Sequence, residues 1–307
     1  MNEAIKTENL TKHFGPVRAV EDLSLNIGKG EIYGFLGLNG AGKTTTIRML
    51  LGMVHPSSGI ASISGRKVSP GDHGLWEKVG YMVEIPYSYP ELTVRENLEI
   101  IRRLRSLKDV HAVSRIIAKL HLEEYADRKV RNLSQGNAQR LGLAKALIHH
   151  PEILMLDEPA NGLDPAGIAE IRKLLIDMAV NHGVTIFISS HILDEVSKFS
   201  TRIGIIHKGF LIQETDTEKL DRLRMKKLIV DAANKTKLKK ILEQHGFTVA
   251  LSEDGVPEIN DETAIRQPEM IASLLVQEGM PPRLLKVEEE NLESYFLRMI
   301  GKEGGGK

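Results

Sequence analysis

Residues 37–44 read Gly-Leu-Asn-Gly-Ala-Gly-Lys-Thr and follow directly on the apolar run Ile32, Tyr33, Gly34, Phe35, Leu36. A G-x-x-x-x-G-K-T spacing between a buried strand and a helix describes a loop that grips phosphate. Gly37, Gly40 and Gly42, with Leu38, Asn39 and Ala41 between them, let successive backbone N–H groups curl around the α- and β-phosphates, while the new helix points its positive end at them. Lys43 is placed to reach the β- and γ-phosphates and Thr44 to offer its hydroxyl to Mg2+. Thr45 completes the contacts where Thr44, Thr45 and Thr46 open onto the apolar helix face of Ile47, Leu50 and Leu51.

A second constellation supplies acid. The apolar run Ile153, Leu154, Met155, Leu156 ends in Asp157 and Glu158, so a buried strand delivers two carboxylates to its C-terminal edge, where open α/β sheets bind ligands. Asp157 is the natural second-sphere or direct holder of Mg2+ together with Thr44. Glu158 is then placed to orient or deprotonate a water in line with the γ-phosphate. An isolated Asp-Glu would read as a solvated strand end; behind four apolar residues and paired with a phosphate loop, it does not.

The elements that must position these groups alternate between strand and helix. Leu23, Leu25 and Ile27 alternate with Ser24 and Asn26, a half-buried strand that Gly28-Lys29-Gly30 turns into the strand feeding the loop. Residues 60–63 form a further short strand, giving a small antiparallel sheet beside a parallel core. Thr93 and Glu96 make a capping box, and Val94, Leu98, Ile101 and Leu104 keep helical spacing after it. Helical periodicity runs on through Val113, Ile116, Ile117 and Leu120, and again through Leu141, Ala144, Leu147 and Ile148. The order then resumes as strand 153–156, helix 168–178 and strand 184–188, which implies right-handed crossovers and a parallel sheet. A hairpin turned by Lys208-Gly209 closes this part.

Past residue 220 the motifs stop. The charged stretch 221–227 reads as a linker, although a charge run is also what a solvated helix face shows. Strand, helix, strand, turn at Asp254-Gly255, weak strand, helix, strand follow, an order that suits a small ferredoxin-like α/β sandwich. A terminal helix carries Leu292, Tyr295, Phe296 and Met299, and Gly304-Gly305-Gly306-Lys307 reads as a frayed end.

Bulk properties narrow the classes. Of 307 residues 41% are hydrophobic, enough for a large core and a smaller second one. Lys+Arg and Asp+Glu are both 41, and a nucleic-acid partner, which normally leaves a basic surplus, is not expected. With no cysteine, disulfides, thiolate catalysis and cysteine-held metals drop out. The opening Met1, Asn2, Glu3, Ala4, Ile5, Lys6 lacks the apolar core of a signal peptide, and no apolar run approaches the about 18 residues of a membrane span.

At this point the sequence resembles ATP-binding cassette (ABC) ATPase subunits over about residues 3–215. The resemblance rests on motifs standing in family order: residues 37–44, then Leu133-Ser134-Gln135-Gly136-Asn137 as the signature, residues 153–158, Gly162-Leu163-Asp164, and Ser189-Ser190-His191. It implies a P-loop NTPase nucleotide-binding domain over residues 1–220, with a helical subdomain at about 88–150, and leaves 221–307 as a small C-terminal accessory α+β domain. It also implies ATP with Mg2+, hydrolysis, and a head-to-tail dimer in which the signature of one copy completes the phosphate loop of the other.

Several residues acquire roles only through this resemblance. Ser134 alone is a good helix N-cap; in the family Ser134, Gly136 and Asn137 meet the phosphates of the partner copy's nucleotide. Gly162 to Asp164 alone is a turn, and the resemblance places Asp164 at the dimer interface. By the same resemblance His191 contacts the γ-phosphate and steadies Glu158, and Phe14, by composition an ordinary core aromatic, stacks on adenine. Asn137 stands where a longer glutamine is commonest. In Gly80-Tyr81-Met82-Val83-Glu84 the last position, usually a glutamine that touches Mg2+ and senses the transmembrane partner, is Glu84. A carboxylate still suits a hard cation but adds negative charge beside the γ-phosphate. The same substitution looks like that in bacterial cassettes exporting lantibiotics and similar peptides.

The reading that results is the ATP-hydrolysing subunit of an exporter, peripheral on the cytoplasmic face of the membrane, serving separate membrane-spanning permease subunits. Residues 85–91 and the helices after them are the expected permease groove. The alternative is a soluble, non-transport ABC ATPase acting as a nucleotide-dependent clamp on ribosome or DNA; the absence of sustained heptads between Glu84 and Leu133 speaks against it. A P-loop kinase or GTPase would leave the signature and His191 unexplained.

Overall fold

The computed structural model describes residues 3–304, apart from Pro70, Asp72, Ile85, Pro86 and Glu253. Ile85 and Pro86 of the expected permease segment, and Gly305, Gly306 and Lys307 of the expected frayed end, therefore lie outside the described residues. The chain divides into two compact units, Met1–Thr217 and Glu218–Lys307.

In the first unit β1 (Glu3–Phe14) and β2 (Val17–Gly28) form a hairpin across Gly15-Pro16, β3 (Ile32–Leu36) follows, and α1 (Lys43–Leu50) starts at the phosphate loop. β4 (Ser58–Ile63) returns to pair with β1 and carries β5 (Arg66–Lys67), and a turn of helix, α2 (His73–Trp76), leads to β6 (Val79–Met82). The helices α3 (Val94–Leu104), α4 (Ala112–Lys119) and α5 (Gln135–Leu147) come next. The chain then alternates through β7 (Ile153–Asp157), α6 (Pro165–His182), β8 (Thr185–Ser190), α7 (Leu193–Ser197), β9 (Arg202–His207) and β10 (Phe210–Asp216).

The six-stranded sheet runs β10-β9-β3-β8-β7-β6, parallel except for β10, and the four-stranded sheet β2-β1-β4-β5 is antiparallel. Every residue of β3, β7 and β8 is buried, in keeping with the apolar runs 32–36, 153–156 and 186–188 within them, whereas β2 alternates. Tyr33, Phe187 and Phe35 stack across β3 and β8 at 5.7 and 5.3 Å between ring centroids. The register sets Leu36 beside Ser190 and Asp157 beside Ser189, so three strands end at one edge in step. α3 has the full capping box of Thr93 and Glu96. α6 begins on Asp164 with Pro165 and ends at Gly183, whose φ of 66° is one that glycine adopts freely. No helix among the described residues is long and apolar enough to cross a membrane.

The second unit holds the last part of α8 (Thr217–Leu223), then β11 (Lys226–Asp231), α9 (Lys235–Gln244), β12 (Val249–Leu251), β13 (Pro257–Ile259), α10 (Glu262–Arg266), α11 (Pro268–Gln277), β14 (Leu284–Glu289) and α12 (Leu292–Gly304). Its sheet is antiparallel in the order β12-β13-β11-β14, the strand order of a ferredoxin-like sandwich. Leu228, Val230, Leu238, Leu242, Ile259, Ile271 and Leu275 share one core there. Residues 221–227 are not a linker: α8 ends and β11 begins inside them. Their charges are matched across the sheet, with Arg224 2.6 Å from Glu289 and Lys227 2.7 Å from Glu258, so a stretch that looks solvated is held in place.

Two contacts fix α5 against the site. A Cβ built on Gly80 of β6 would lie 2.2 Å from the Ala146 carbonyl oxygen and 2.9 Å from Pro151, so helix and strand approach to a distance only glycine permits. One residue before Ala146, Lys145 Nζ donates to the Tyr87 carbonyl (2.9 Å) and to Ser88 Oγ (2.6 Å), with burial pushing its pKa down to about 8. Gly80→Ala is expected to lose about 1–3 kcal/mol in urea unfolding through overpacking; an unchanged midpoint would show that α5 can move away freely. For Lys145 the folded pKa lies below the unfolded one. The unfolded chain therefore binds more protons between about pH 8 and 10.5, and stability gains with rising pH across that window. Subtracting the pH–stability curve of Lys145→Met from that of the wild type should leave this upward slope, and a flat difference would contradict it.

Candidate functional site

The loop after β3 is shaped by close approaches. The Gly37 N–H donates to the Ser190 carbonyl at 3.2 Å, and a Cβ on Gly37 would fall 2.4 Å from the Ile206 carbonyl oxygen. Gly42, at φ 113°, would bring its Cβ equally close to the Ala19 carbonyl. Glycine is thus required by space at the first position and by both space and φ at the second. An open depression lined by Asn39, Gly40, Ala41, Gly42, Lys43, Thr44 and Thr45 is closed at its sides by Val17, Arg18, Ala19, Glu158 and Lys208.

Lys43 opens α1 with only 6% of its side chain exposed. Its ammonium donates to the Gly37 carbonyl at 2.6 Å and the Leu38 carbonyl at 3.2 Å, and stands 3.2 Å from Glu158 Oε1. An ammonium has three protons, and a buried one must place them all. Here each has an acceptor, and two of the acceptors belong to the loop that phosphate would enter.

At the end of β7, Asp157 is 3% exposed. Thr44 Oγ1 donates to its Oδ2 at 2.7 Å and Ser189 Oγ donates to its Oδ1. Thr44 and Asp157 thus bring two hard oxygens together, the donor set Mg2+ prefers when it retains water and takes phosphate oxygens for the rest. Glu158 follows in the left-handed region, φ 51°, its N–H donating to the Ser189 carbonyl at 3.2 Å and its own carbonyl accepting from Gln139 Nε2 of α5 at 3.2 Å. That turn sends its carboxylate back over the loop, where Oε2 accepts from the His191 N–H at 3.3 Å and lies 2.7 Å from His191 Nδ1. A carboxylate accepts only, so Nδ1 carries the proton and Nε2 is left for another partner. Lys43, Glu158 and His191 form one chain of charge-assisted contacts, beside the Thr44–Asp157 pair.

The remaining expected residues lie elsewhere. Ser134 caps α5 by accepting from the Asn137 N–H at 3.3 Å, and a Cβ on Gly136 would rest 3.4 Å from the Gly162 carbonyl. Asp164 caps α6 through Gly167 at 2.8 Å. Among the described residues no hydrogen bond or ion pair joins Ser134, Gly136, Asn137 or Asp164 to Lys43, Thr44 or Asp157. Phe14 ends β1 half exposed, with Lys12 Nζ 4.9 Å from its ring centroid. Glu84, just past β6 at φ 57°, is paired with Arg48 of α1 at 2.5 Å.

Sequence reading missed Arg48 and Gln139 as parts of the site, and named Ser189 within the Ser189-Ser190-His191 motif without giving it a role. Arg48 lies four residues beyond Thr44 on α1 and so on the same side, a signal that was present. Ser189 becomes a neighbour of Asp157 only through sheet register, and nothing local marks Gln139. A groove beside Glu84 is lined by Met53, Tyr81, Tyr87, Tyr89, Ile101, Leu104 and Lys145, among others, with Tyr87 and Leu104 strongly exposed.

The ABC transporter family profile matches residues 20–161. The chain is 39% identical over 304 residues to the bacitracin transport ATP-binding protein BcrA of Bacillus licheniformis, covering 98% of each chain. It is 38% identical to BcrA of Enterococcus faecalis over all of this chain and 98% of that one. It is 36% identical to the lantibiotic transport ATP-binding protein SrtF of Streptococcus pyogenes, over 71% of this chain and 93% of that one. Among solved structures, the dimeric post-hydrolysis state of the ATP-binding cassette MJ0796, bound to ADP and Pi, matches with a TM-score of 0.65 at 26% identity, covering 69% of this chain and 98% of that one. These relatives are named for transport, which favours transport over the clamp alternative. The phosphate loop, the carboxylate pair at the end of β7 and this kinship lead to one conclusion: the chain belongs to the ABC transporter family, as an ATP-binding subunit that hydrolyses ATP on a P-loop ATPase fold.

Proposed function

We propose that this subunit powers the export of a peptide antibiotic of the bacitracin or lantibiotic kind, from the cytoplasmic face of the membrane, through separate membrane-spanning subunits. Its likeness to both BcrA proteins over nearly the whole chain supports the cargo class. For the chemistry, the carrying observation is the Lys43–Glu158–His191 chain set beside Thr44 and Asp157.

The triphosphate of ATP would lie along the N–H groups of residues 38–45, with Phe14 under the adenine. Lys43 exchanges its loop carbonyls and Glu158 Oε1 for the β- and γ-phosphates, which releases that carboxylate oxygen to face a water. The water attacks the γ-phosphorus, its proton passes to Glu158, and the bond to the β–γ bridging oxygen breaks with its electron pair staying on ADP. His191 holds Glu158 through Nδ1–H and turns Nε2 towards the γ-phosphate. Mg2+, when bound, supplies neutralisation of the phosphate charge; Thr44 and Asp157 would hold it, with Glu84 as a further oxygen donor.

The reading also needs a second copy, head to tail. In it the Ser134 hydroxyl, Gly136, Asn137 and the start of α5 reach the γ-phosphate held by the first copy's Lys43, and Asp164 lies along the seam. The groove with Tyr87, Tyr89 and Leu104 would take the permease, since large exposed apolar side chains gathered beside Glu84 suit a docked segment.

Glu158→Gln is expected to keep ATP binding, lower turnover by about 10^2–10^4-fold and accumulate as an ATP-bound dimer on size-exclusion chromatography. Wild-type hydrolysis in that variant would take Glu158 out of its role. A protein that stays monomeric at saturating Mg-ATP, with its membrane subunits supplied, would rule out the paired arrangement.

A further inference from the structure

The edge formed by β6 and β7 ends in three carboxylates, Glu84 beyond β6 and Asp157 and Glu158 at and after the end of β7, and the register sets these two strand ends side by side. An edge that receives a triphosphate cannot leave so much negative charge unanswered. Asp157 has the hydroxyls of Thr44 and Ser189, and Glu158 has Lys43. Glu84 has Arg48, whose Nη2 lies 2.5 Å from Oε1. Lys43 and Arg48 both belong to α1, so one helix supplies the cation for each glutamate.

The two pairs differ in kind. Lys43 and Glu158 are mostly out of water, whereas Arg48 is 38% and Glu84 58% exposed, so the second pair is screened and readily exchanged. The backbone of Glu84 lies at φ 57°, a conformation that a non-glycine residue holds only when its surroundings secure it. Among the described residues Arg48 is the side chain that pairs with Glu84.

We propose that Arg48 is a positioning residue for Glu84: it offsets the extra carboxylate while the site is empty of cation and yields it when a divalent cation arrives with nucleotide. The consequence is that a chain with glutamate at this position tolerates ATP without metal only because Arg48 is there. This rests on the reading of Thr44 and Asp157 as the metal-facing pair.

The test measures binding of a non-hydrolysable ATP analogue to the full chain, in EDTA and in Mg2+, for the wild type, Arg48→Met, Arg48→Lys, Glu84→Gln and the Arg48→Met/Glu84→Gln double variant. In EDTA, Arg48→Met should weaken binding about three- to tenfold through the uncompensated charge, with Mg2+ recovering most of the loss. Arg48→Lys should stay near wild type, and in the Glu84→Gln background the Arg48→Met change should have no effect. Equal weakening with and without Mg2+, or weakening that persists in the Glu84→Gln background, would mean that Arg48 acts on phosphate or on folding, and the proposal would fall. Asp157→Asn separates the two levels. If it leaves the Mg2+ dependence untouched, the metal-facing reading fails and takes the proposal with it; if it shifts that dependence while Arg48→Met does nothing, the proposal alone fails.

Discussion

An ammonium group with almost no access to water sets the terms for the first unit. Lys43 must be buried if it is to meet phosphate without competing solvent, and in the absence of phosphate its charge has to be answered by protein. The loop answers with two carbonyls and the neighbouring strand with Glu158. Those acceptors dictate the rest: β3 and β7 must lie near one another in the sheet and end in step, with β8 between them to bring Ser189, Ser190 and His191 into reach. The fully buried strands, the aromatic stack across β3 and β8, and the glycines that permit the tight loop all hold that edge in register.

Such an arrangement also gives each buried charge at that edge a partner within the protein. Thr44 answers Asp157, and Glu158 answers Lys43. Groups already held by such partners keep their positions, which is the preorganisation that electrostatic catalysis relies on.

Much of this was legible in the sequence, because phosphate chemistry demands particular residue types at fixed spacing within one stretch. The loop at 37–44 and the carboxylates at 157 and 158 are local signals. So was the α3 capping box, and so was the strand–helix order that gives the second unit its antiparallel sheet. What was not legible depends on register or on partners far along the chain. Ser189 beside Asp157 needs the sheet, and Gln139 beneath Glu158 needs the packing of α5. The 221–227 stretch looked like linker because its pairing carboxylates, Glu258 and Glu289, lie more than thirty residues away. Glu84 was visible as an acidic residue and Arg48 lies on the Thr44 side of α1, but their pairing depends on α1 passing beside the end of β6.

The single amide of Gln139 carries one more implication. It hangs from the helix that Ser134 caps, yet it grips the main chain of Glu158. In the head-to-tail pair proposed above, the Ser134 end of that helix would face the other copy's nucleotide, while its glutamine braces Glu158 of its own chain. A shift of α5 would reach Glu158 through that one hydrogen bond, so the helix that begins at the signature serine is mechanically tied to the carboxylate at the end of β7 in its own chain.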